Sequence, residues 1–582
     1  ARTRIVPSDP DLPVFTLRGG HRIDLDDLTI AAPTAKAIVA RGQPIDDGID
    51  WLEGLRLRRI TLEARDRMAI DLRFVMGAEI AECRIALEPL SADLTTVAPA
   101  GQEPAIFAIA EDLLIAGVQI TADIPRAMLR PAGGIQIGGG SEQVEIRNCR
   151  IEGGIGNGIT LGHIVMISPD KAARAREDYT PIAEAEPSHP AADVTLDDNG
   201  CIGTTPPGST AETPEDAPDR VPVSGGEVTG VVIRDCTIRG MGLSGIATPI
   251  AFNLRKRLRP VAIRVADLSV ERCTIRGCAQ VETPEMPVLQ QLFSAWGGIC
   301  LFSVEVGVFA ENRIEANGRS HLDAICGLSV IRAEALVIRD NRILDNGPRS
   351  ASQAVPRPGA RGGIRIGEAG PQSLPRGLDY GEEIAEVTEV VRIGARALSV
   401  PAVTIQNNLV HQPLGKALMV LGQGAMAITG NHFASQGTTS GDVKSLIAEI
   451  FAAGQESDLS TEAFLLIVLD RVLGTAVTVV NTGLSSEMTE GLSLMQLFGA
   501  ADGLSMAHRP GLGNRLEGAP YARRGRGVAG GEVLLNDNVV VQNFLDGAPS
   551  FTLASVFALS LDDLSVQDNT LSAQVDFSTD FS

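Results

Sequence analysis

Three loop segments in the middle of the chain carry the side chains best suited to acid–base chemistry. The first contains Glu282 and Glu285, the second contains His321 and Asp323, and the third ends at Arg361. A carboxylate beside an imidazole, with arginine to hold an anionic group, could perform general acid–base catalysis on a glycosidic or uronate substrate. Because any three loops contain charges, a solvated, salt-bridged surface is the alternative interpretation of the same five residues.

The elements that must position these loops form a short repeat. An eight-residue pattern of apolar, x, Ile/Val, polar, polar, Asn/Cys, x and apolar residues reads VEIRNCRI at 144–151 and VVIRDCTI at 231–238. It alternates with Gly-flanked apolar strands such as GGIQI and GGIRI. The next Asn/Cys position follows such a strand by 13 residues and precedes the next strand by 10, so the minimal repeat is 23 residues. The Asn/Cys position holds Cys83, Cys149, Cys236, Cys273, Asn312, Asn341, Asn408, Asn431, Asn538 and Asn569.

A 23-residue unit cannot bury its own apolar face, whereas stacked copies bury a continuous column. The pattern resembles the right-handed parallel β-helix, the pectate-lyase-like and tailspike-like fold. The resemblance implies an all-β solenoid of about thirteen coils over residues 14–572. An Asn that turns inward at a bend can bond to its equivalents above and below in an asparagine ladder, and Cys fits the same small site. No catalytic family signature is matched, because the stacked aspartates of calcium-dependent pectate lyases are missing.

Insertions account for nearly half of the chain. We predict β-helix coils over 14–433, with loop insertions at 164–229 and 367–401. Apolar residues at helical spacing predict a mainly helical insertion at 434–530, and the final coils and a tail occupy 531–582. Two such helices must bury their apolar faces, either against the coils or against a protein partner.

Alternation along the Gly-flanked strands predicts which residues point outward. These outward residues are Thr16, Val39, Asp71, Gln136, Thr160, Ala247, Cys300, Ser329, Arg365, Met419 and Thr552. Only Asp71 and Arg365 among them are charged. His163, which follows one of these strands, is interpreted as a loop histidine.

Composition excludes some classes of partner. Lys and Arg number 50 against 72 Asp and Glu, and the net charge of −22 argues against nucleic acid, which needs a cationic surface. The same charge argues against acidic polysaccharides, unless a divalent cation bridges like charges. Two Trp and three Tyr offer few faces for stacking sugars. No apolar run is long enough to span a membrane.

No cofactor is predicted. A calcium site at Asp197, Asp198 and Asn199 is conceivable from composition alone, but a plain turn explains the same residues. The absence of CxxC pairs argues against a zinc site or a disulfide framework.

Two functional hypotheses remain. In the first, the chain is an elongated structural or binding module, an adhesion or assembly scaffold in a surface, secreted or phage-like assembly. In the second, it is a carbohydrate-active enzyme, a lyase or hydrolase that uses the loops near His321 and Asp323. Candidate partners are a polysaccharide, another copy of the chain, or a protein at the uncapped N-terminal end or the 434–530 insertion. Fold analogy alone favours an extracellular or cell-surface location.

Overall fold

The structure is a computed structural model, and every bounded element among its described residues is a β-strand. No helix among the described residues is long and apolar enough to cross a membrane. The described residues form two compact units, the first covering Ala1–Lys256, Pro260–Glu285 and Trp296–Phe302, and the second covering Arg257–Arg259, Met286–Ala295 and Ser303–Ser582. Within these spans the structure describes residues 3–7, 9, 12–45, 48–65, 67–90, 102–124, 129–167, 221–249, 251–253, 259–261, 263–281, 294–318, 325–348, 361–370, 401–422, 425–435, 475–481, 533–543, 555–560 and 564–574.

Unit 1 consists of three columns of parallel strands, and successive turns of the chain extend each column. Column 1 contains β2 (Phe15–Arg18), β5 (Ile38–Arg41), β10 (Ile70–Ala81), β12 (Ile106–Ala116), β14 (Ile135–Ile137), β17 (Ile159–Leu161), β22 (Ile246–Ala247) and the start of β27 (Trp296–Ala310). Column 2 contains β3 (His21–Asp26), β8 (Leu52–Arg58), the ends of β10 and β12, β15 (Glu142–Arg147), β20 (Val228–Arg234) and β25 (Arg264–Glu271). Column 3 contains β1 (Thr3–Ile5), β4 (Leu28–Ala31), β9 (Thr61–Ala64), β11 (Arg84–Leu87), β13 (Gln119–Thr121), β16 (Arg150–Glu152), β21 (Thr237–Arg239) and β26 (Thr274–Arg276).

Unit 2 repeats the same three columns. Column 1 contains β29 (Ile325–Arg339), β31 (Gly362–Gly370), β34 (Lys416–Gly422), β37 (Val477–Asn481) and β40 (Val556–Ser560). Column 2 contains the end of β29, β32 (Val403–Gln406), β35 (Met426–Thr429), β38 (Val533–Asn536) and β41 (Leu564–Gln567). Column 3 contains β28 (Arg313–Glu315), β30 (Arg342–Leu344), β33 (Leu409–Gln412), β36 (His432–Ser435), β39 (Val539–Asn543) and β42 (Thr570–Gln574).

Three short strand pairs branch from the coils. Two of them are antiparallel, one formed by β6 (Gln43–Ile45) and β7 (Gly48–Asp50), the other by β18 (Ile164–Ile167) and β19 (Val221–Ser224). The third joins β23 (Ala251–Asn253) and β24 (Arg259–Val261). The second pair places both ends of the predicted 164–229 insertion side by side.

Parallel pairing in register identifies the fold. Ile151 lies opposite Ile238 in unit 1 and Ile343 lies opposite Val410 in unit 2, and all four side chains are buried. The chain is therefore a parallel β-helix repeat protein, as the 23-residue pattern predicts. The long strands β10 and β12 bend at Phe74 and Asp112, where φ is positive, and continue from column 1 into column 2. Columns 1 and 2 consequently share these strands, whose first halves pair within column 1 and whose second halves pair within column 2.

A single left-handed residue makes the bend between columns 2 and 3. Asn148, Asp235, Asp340 and Asp568 all occupy this position with φ between 52° and 58°. Asn and Asp tolerate this conformation better than other side chains because they can bond to the nearby backbone. The next residue in each case is the Asn/Cys position, which the bend turns inward.

In unit 2 the Asn/Cys position forms a continuous column of hydrogen bonds. Each amide nitrogen donates to the amide oxygen of the next Asn, as Asn408 Nδ2 does to Asn431 Oδ1 at 3.0 Å. The same oxygen accepts the backbone N–H of the preceding Asn, at 2.9 Å from Asn408 N. This asparagine column runs through Asn312, Asn341, Asn408, Asn431, Asn538 and Asn569.

In unit 1 cysteines occupy the equivalent position. The Sγ atoms of Cys83, Cys149, Cys236 and Cys273 lie within 3.2–3.6 Å of carbonyl oxygens, one from the residue two before and one from another coil. A thiol has a single hydrogen and is a weak donor, and its sulfur is a weaker acceptor than the amide oxygen that links one Asn to the next.

Two features differ from the sequence-based expectations. β1 pairs with β4, so a column 3 strand precedes Phe15, where we expected the first coil to begin uncapped. β37 lies inside the predicted helical insertion and joins column 1, because its alternating valines fit the pleated strand. The remaining residues of that insertion, 436–474 and 482–530, lie outside the described part of the chain.

We expect the seven described cysteines to be unreactive in the folded protein. All seven are buried, and burial raises the pKa of the Cys83 thiol to about 11 and that of Cys278 to about 12. A thiolate is the reactive species, so little of it forms at Cys83 and Cys278 near neutral pH, and at the other five burial keeps the reagent from reaching the sulfur atom. A Cys201→Ser variant should therefore release no colour with a disulfide-exchange reagent until it is unfolded, when all seven react. Rapid labelling of the native variant would contradict the buried placement.

Candidate functional site

The loop residues predicted to be catalytic fall mostly outside the described residues. Glu282, Glu285, His321 and Asp323 all lie there. Arg361 is described, and it is half-buried directly before β31. The described residues therefore do not test whether these side chains come together.

The outward-pointing residues of column 1 form a row in register, and most of that row is buried. Asp71 lies opposite Phe107, which lies opposite Gln136, and all three are fully buried. Phe107 was missed because its strand, IFAIA, has no flanking glycine to mark it. We call this set the outward row of unit 1: Thr16, Val39, Asp71, Phe107, Gln136, Thr160, Ala247 and Cys300.

Unit 2 has its own outward row, in which Ser329, Arg365, Met419 and Thr478 are opposite one another and buried. Thr478 was missed because its strand interrupts the predicted helical insertion. The last member is Phe557, opposite Thr478, whereas the expected Thr552 lies outside the described residues.

Asp71 is the centre of a charged cluster in unit 1. Lys36 Nζ donates to Asp71 Oδ2 at 2.8 Å, Arg41 Nη2 to the same oxygen at 3.2 Å, and Arg73 Nε to Oδ1 at 2.9 Å. Lys36 also lies 3.9 Å from Glu103, whose other oxygen accepts the backbone N–H of Met68 at 2.9 Å. The cluster is thus anchored to two strands and the turns that precede them.

Electrostatics fix the charge of Asp71. Burial by itself would raise the pKa of its carboxyl, but the adjacent Arg73, Lys36 and Arg41 hold that pKa far below its usual range. The group stays ionised under all ordinary conditions. It can accept hydrogen bonds and orient cations, but it cannot act as a proton donor.

Arg73 connects the cluster to a buried histidine. Its guanidinium lies over the Phe107 ring, 5.2 Å from the centroid, and the His163 ring meets Phe107 edge-on at 6.0 Å. Gly139 N donates to His163 Nδ1 at 2.7 Å. A Cβ at Gly225 would lie 2.1 Å from the His163 ring, so glycine is required where this backbone passes the imidazole. His163 therefore lies in the loop between β17 and β18, as expected from sequence, but its side chain is buried and packed.

We expect His163 to make the protein less stable in mild acid. Burial, followed by the charge of Arg73, lowers the pKa of the imidazole from 6.5 to about 4. Between these values the unfolded chain binds a proton that the folded chain does not, so stability falls as the pH drops from about 6.5 to about 4.

The slope should approach roughly 1.4 kcal/mol per pH unit. Chemical unfolding of a His163→Gln variant at several pH values should show a flatter dependence over this interval. His432→Gln, a change at an exposed histidine, is the control and should keep the wild-type slope. Equal slopes in all three proteins would contradict the neutral, buried state of His163.

Among the described residues, no three His, Cys, Asp or Glu side chains converge in a metal-binding arrangement. The acidic segment considered for calcium, Asp197–Asn199, lies outside them. In the described part of unit 1, cationic side chains surround two carboxylates, Asp71 and Glu103, and both carboxylates are ion-paired. The outward row contains no acid–base pair.

No protein-family model matches the chain, and no curated protein is similar to it. Among solved structures, the chain is similar to the Dettilon tailspike protein gp208 (10% identity, 88% of this chain and 62% of the tailspike, TM-score 0.30). It is also similar to the A-module of mannuronan C-5 epimerase AlgE6 from Azotobacter vinelandii (7% identity, 96% and 92% coverage, TM-score 0.27).

A third similar structure is the surface protein and adhesin PfbA from Streptococcus pneumoniae (10% identity, 72% of this chain and 88% of that one, TM-score 0.26). The chain spans less than two thirds of the tailspike's length. At these identities and TM-scores none of the three carries an argument about function.

Proposed function

We propose that this chain is a structural and binding module, a β-helix scaffold that presents a charged face to a ligand within a larger surface, secreted or phage-like assembly. The observation that carries the proposal is the state of Asp71. It is the one carboxylate in the outward row of unit 1, and three cations hold it buried and ionised. A group in this state positions its neighbours and does no proton transfer.

The second titratable group on this face supports the same interpretation. His163 is neutral at physiological pH and its Nδ1 already accepts a backbone hydrogen bond. The guanidinium groups of Arg41 and Arg67 remain about half exposed, at 44% and 52%. The described face of unit 1 therefore offers exposed donors for recognition while its buried groups are occupied by structural contacts.

The alternative is a polysaccharide lyase or glycoside hydrolase with its site at Glu282, Glu285, His321, Asp323 and Arg361. A panel of neutral and acidic polysaccharides, with and without calcium, separates the two functions when binding and polymer length are measured in the same samples. Saturable binding without change in polymer length supports the scaffold. New reducing ends or unsaturated products, lost in His321→Ala and Asp323→Ala, would establish the enzyme instead.

A further inference from the structure

Three arginines on successive coils of unit 1 lie in register. Arg18 on β2 is opposite Arg41 on β5, and Arg41 is opposite Arg73 on β10. Each lies two residues after a member of the outward row, so all three belong to the outward side of column 1. We call Arg18, Arg41 and Arg73 the arginine row.

Like charges directly opposite one another on neighbouring strands are destabilising. Lys36 and Arg67 lie beside the row and add two more cations, for five in all. Two carboxylates of the described residues contact this group, and both are already shared: Asp71 by three cations, and Glu103 by Lys36 and Arg67. Within this group the cations outnumber the carboxylates by three, on a chain whose net charge is −22.

Arg18 is the clearest unoccupied donor. It is exposed, and within the described part of the chain it forms no ion pair. Arg41 uses one terminal nitrogen on Asp71, which fixes the side chain and leaves its other donors to the solvent. An arginine held by a buried carboxylate has lost much of its rotamer freedom already, so an anion that binds it loses less entropy.

The spacing of the row selects a polymer rather than a single ion. Neighbouring coils are separated by about 4.8 Å, which is comparable to the length of one sugar residue in an extended polysaccharide. Guanidinium groups bind carboxylates and sulfates through two parallel hydrogen bonds. A chain that bears one such anion on each sugar would therefore place successive anions opposite successive arginines.

Resting on the proposed binding function, we propose that the arginine row, with Lys36 and Arg67 beside it, binds an acidic polysaccharide whose sugars carry carboxylate or sulfate groups. No bridging cation is required, because the face is itself cationic. The net charge of the whole chain is strongly negative, so the composition gives no indication of this local excess of cations. Single-stranded nucleic acid fits less well, since Phe107, the aromatic ring beside Arg73, is fully buried and cannot stack on bases.

The test measures the affinity of the full chain for length-matched fluorescent oligosaccharides: a polyuronate, a sulfated glycan and a neutral glycan, with single-stranded DNA as a further probe. All titrations contain a chelator, so that a divalent cation cannot bridge. The variants are Arg18→Gln, Arg41→Gln and the double variant. Arg18→Gln removes a side chain that has no ion pair among the described residues, so it is expected to leave the fold intact.

Hydrogen bonds to charged groups are stronger than those between neutral groups, so each single substitution should weaken acidic-glycan binding by on the order of tenfold or more. Raising the salt concentration should weaken wild-type binding as well. Arg313→Gln, an equally charge-changing substitution at an exposed arginine of unit 2, should leave the affinity unchanged. Preference between the polyuronate and the sulfated glycan identifies the natural anion.

Three outcomes would overturn the proposal: wild-type affinity in Arg18→Gln and Arg41→Gln, equal loss in Arg313→Gln, or tighter binding to DNA or to the neutral glycan. Binding to the neutral glycan would overturn the arginine-row site but keep the binding function. Depolymerisation of a bound glycan would overturn the binding function, while a loss of affinity in the arginine variants would still support the site.

Discussion

Replacing Asp71 by asparagine is expected to lower the free energy of unfolding by about 3 kcal/mol, the range typical for breaking a buried ion pair. The substitution keeps the shape of the side chain but leaves Lys36, Arg41 and Arg73 without their shared anion. Urea unfolding at neutral pH measures the effect. The control is Glu152→Gln, which breaks the exposed pair with Arg150 and should cost less than about 1 kcal/mol.

The acid dependence provides a second check on Asp71. Because the folded-state pKa of this carboxyl lies below its usual value, its contribution to stability is complete above about pH 4 and is lost as the pH falls further. Asp71→Asn should lack this component and show a flatter profile below about pH 4. A variant no less stable than Glu152→Gln would mean that the cluster is not formed.

Replacing Asn431 by alanine should lower the free energy of unfolding by a similar amount, about 3 kcal/mol, because it leaves several buried partners unsatisfied. Asn431 Nδ2 donates to Asn538 Oδ1, Ile405 O and Thr429 O, at 3.0, 2.8 and 3.1 Å. Its Oδ1 accepts two hydrogen bonds from Asn408. The asparagine column is thereby interrupted in the middle.

Cysteine at the same position should have an intermediate effect. In unit 1 a cysteine contacts the equivalent pair of carbonyls, as Cys236 Sγ does at 3.2 Å from Arg234 O and 3.6 Å from Ile146 O. Asn431→Cys would keep those contacts and lose the acceptor. Urea unfolding should therefore rank wild type above Asn431→Cys and Asn431→Cys above Asn431→Ala, with the exposed Asn543→Ala as control. Equal stability of Asn431→Ala and Asn543→Ala would contradict the column.

The register of the fold was readable from the sequence because the bend is chemically demanding. The inward position directly after the left-handed residue is Asn or Cys in ten coils, and this recurring choice makes the repeat visible in the sequence. Arg18 and Arg41 are 23 residues apart, the minimal repeat, so their pairing could also have been found. The hairpin β6–β7 lengthens the next coil, and this hid Arg73 from the same comparison.

The charged cluster around Asp71 and a second buried polar set depend on side-chain packing, which the repeat length does not predict. Arg73 is on the same strand as Asp71, but Lys36 and Arg41 come from the preceding coil, and their approach to Asp71 follows from the register of β5 and β10. A second buried polar set in unit 2 also went unnoticed: Asn317 Nδ2 donates to Asn346 Oδ1 at 2.8 Å, and Gln412 Nε2 donates to Asn346 O at 2.8 Å.

The most direct test of the binding function is light scattering after size-exclusion chromatography of the wild-type chain mixed with an acidic polysaccharide and sampled over a day. Our account predicts a complex that contains protein and polymer, with a polymer mass that stays constant. A polymer whose mass falls with time, with the fall abolished in His321→Ala and Asp323→Ala, would show that the chain is an enzyme and contradict the account.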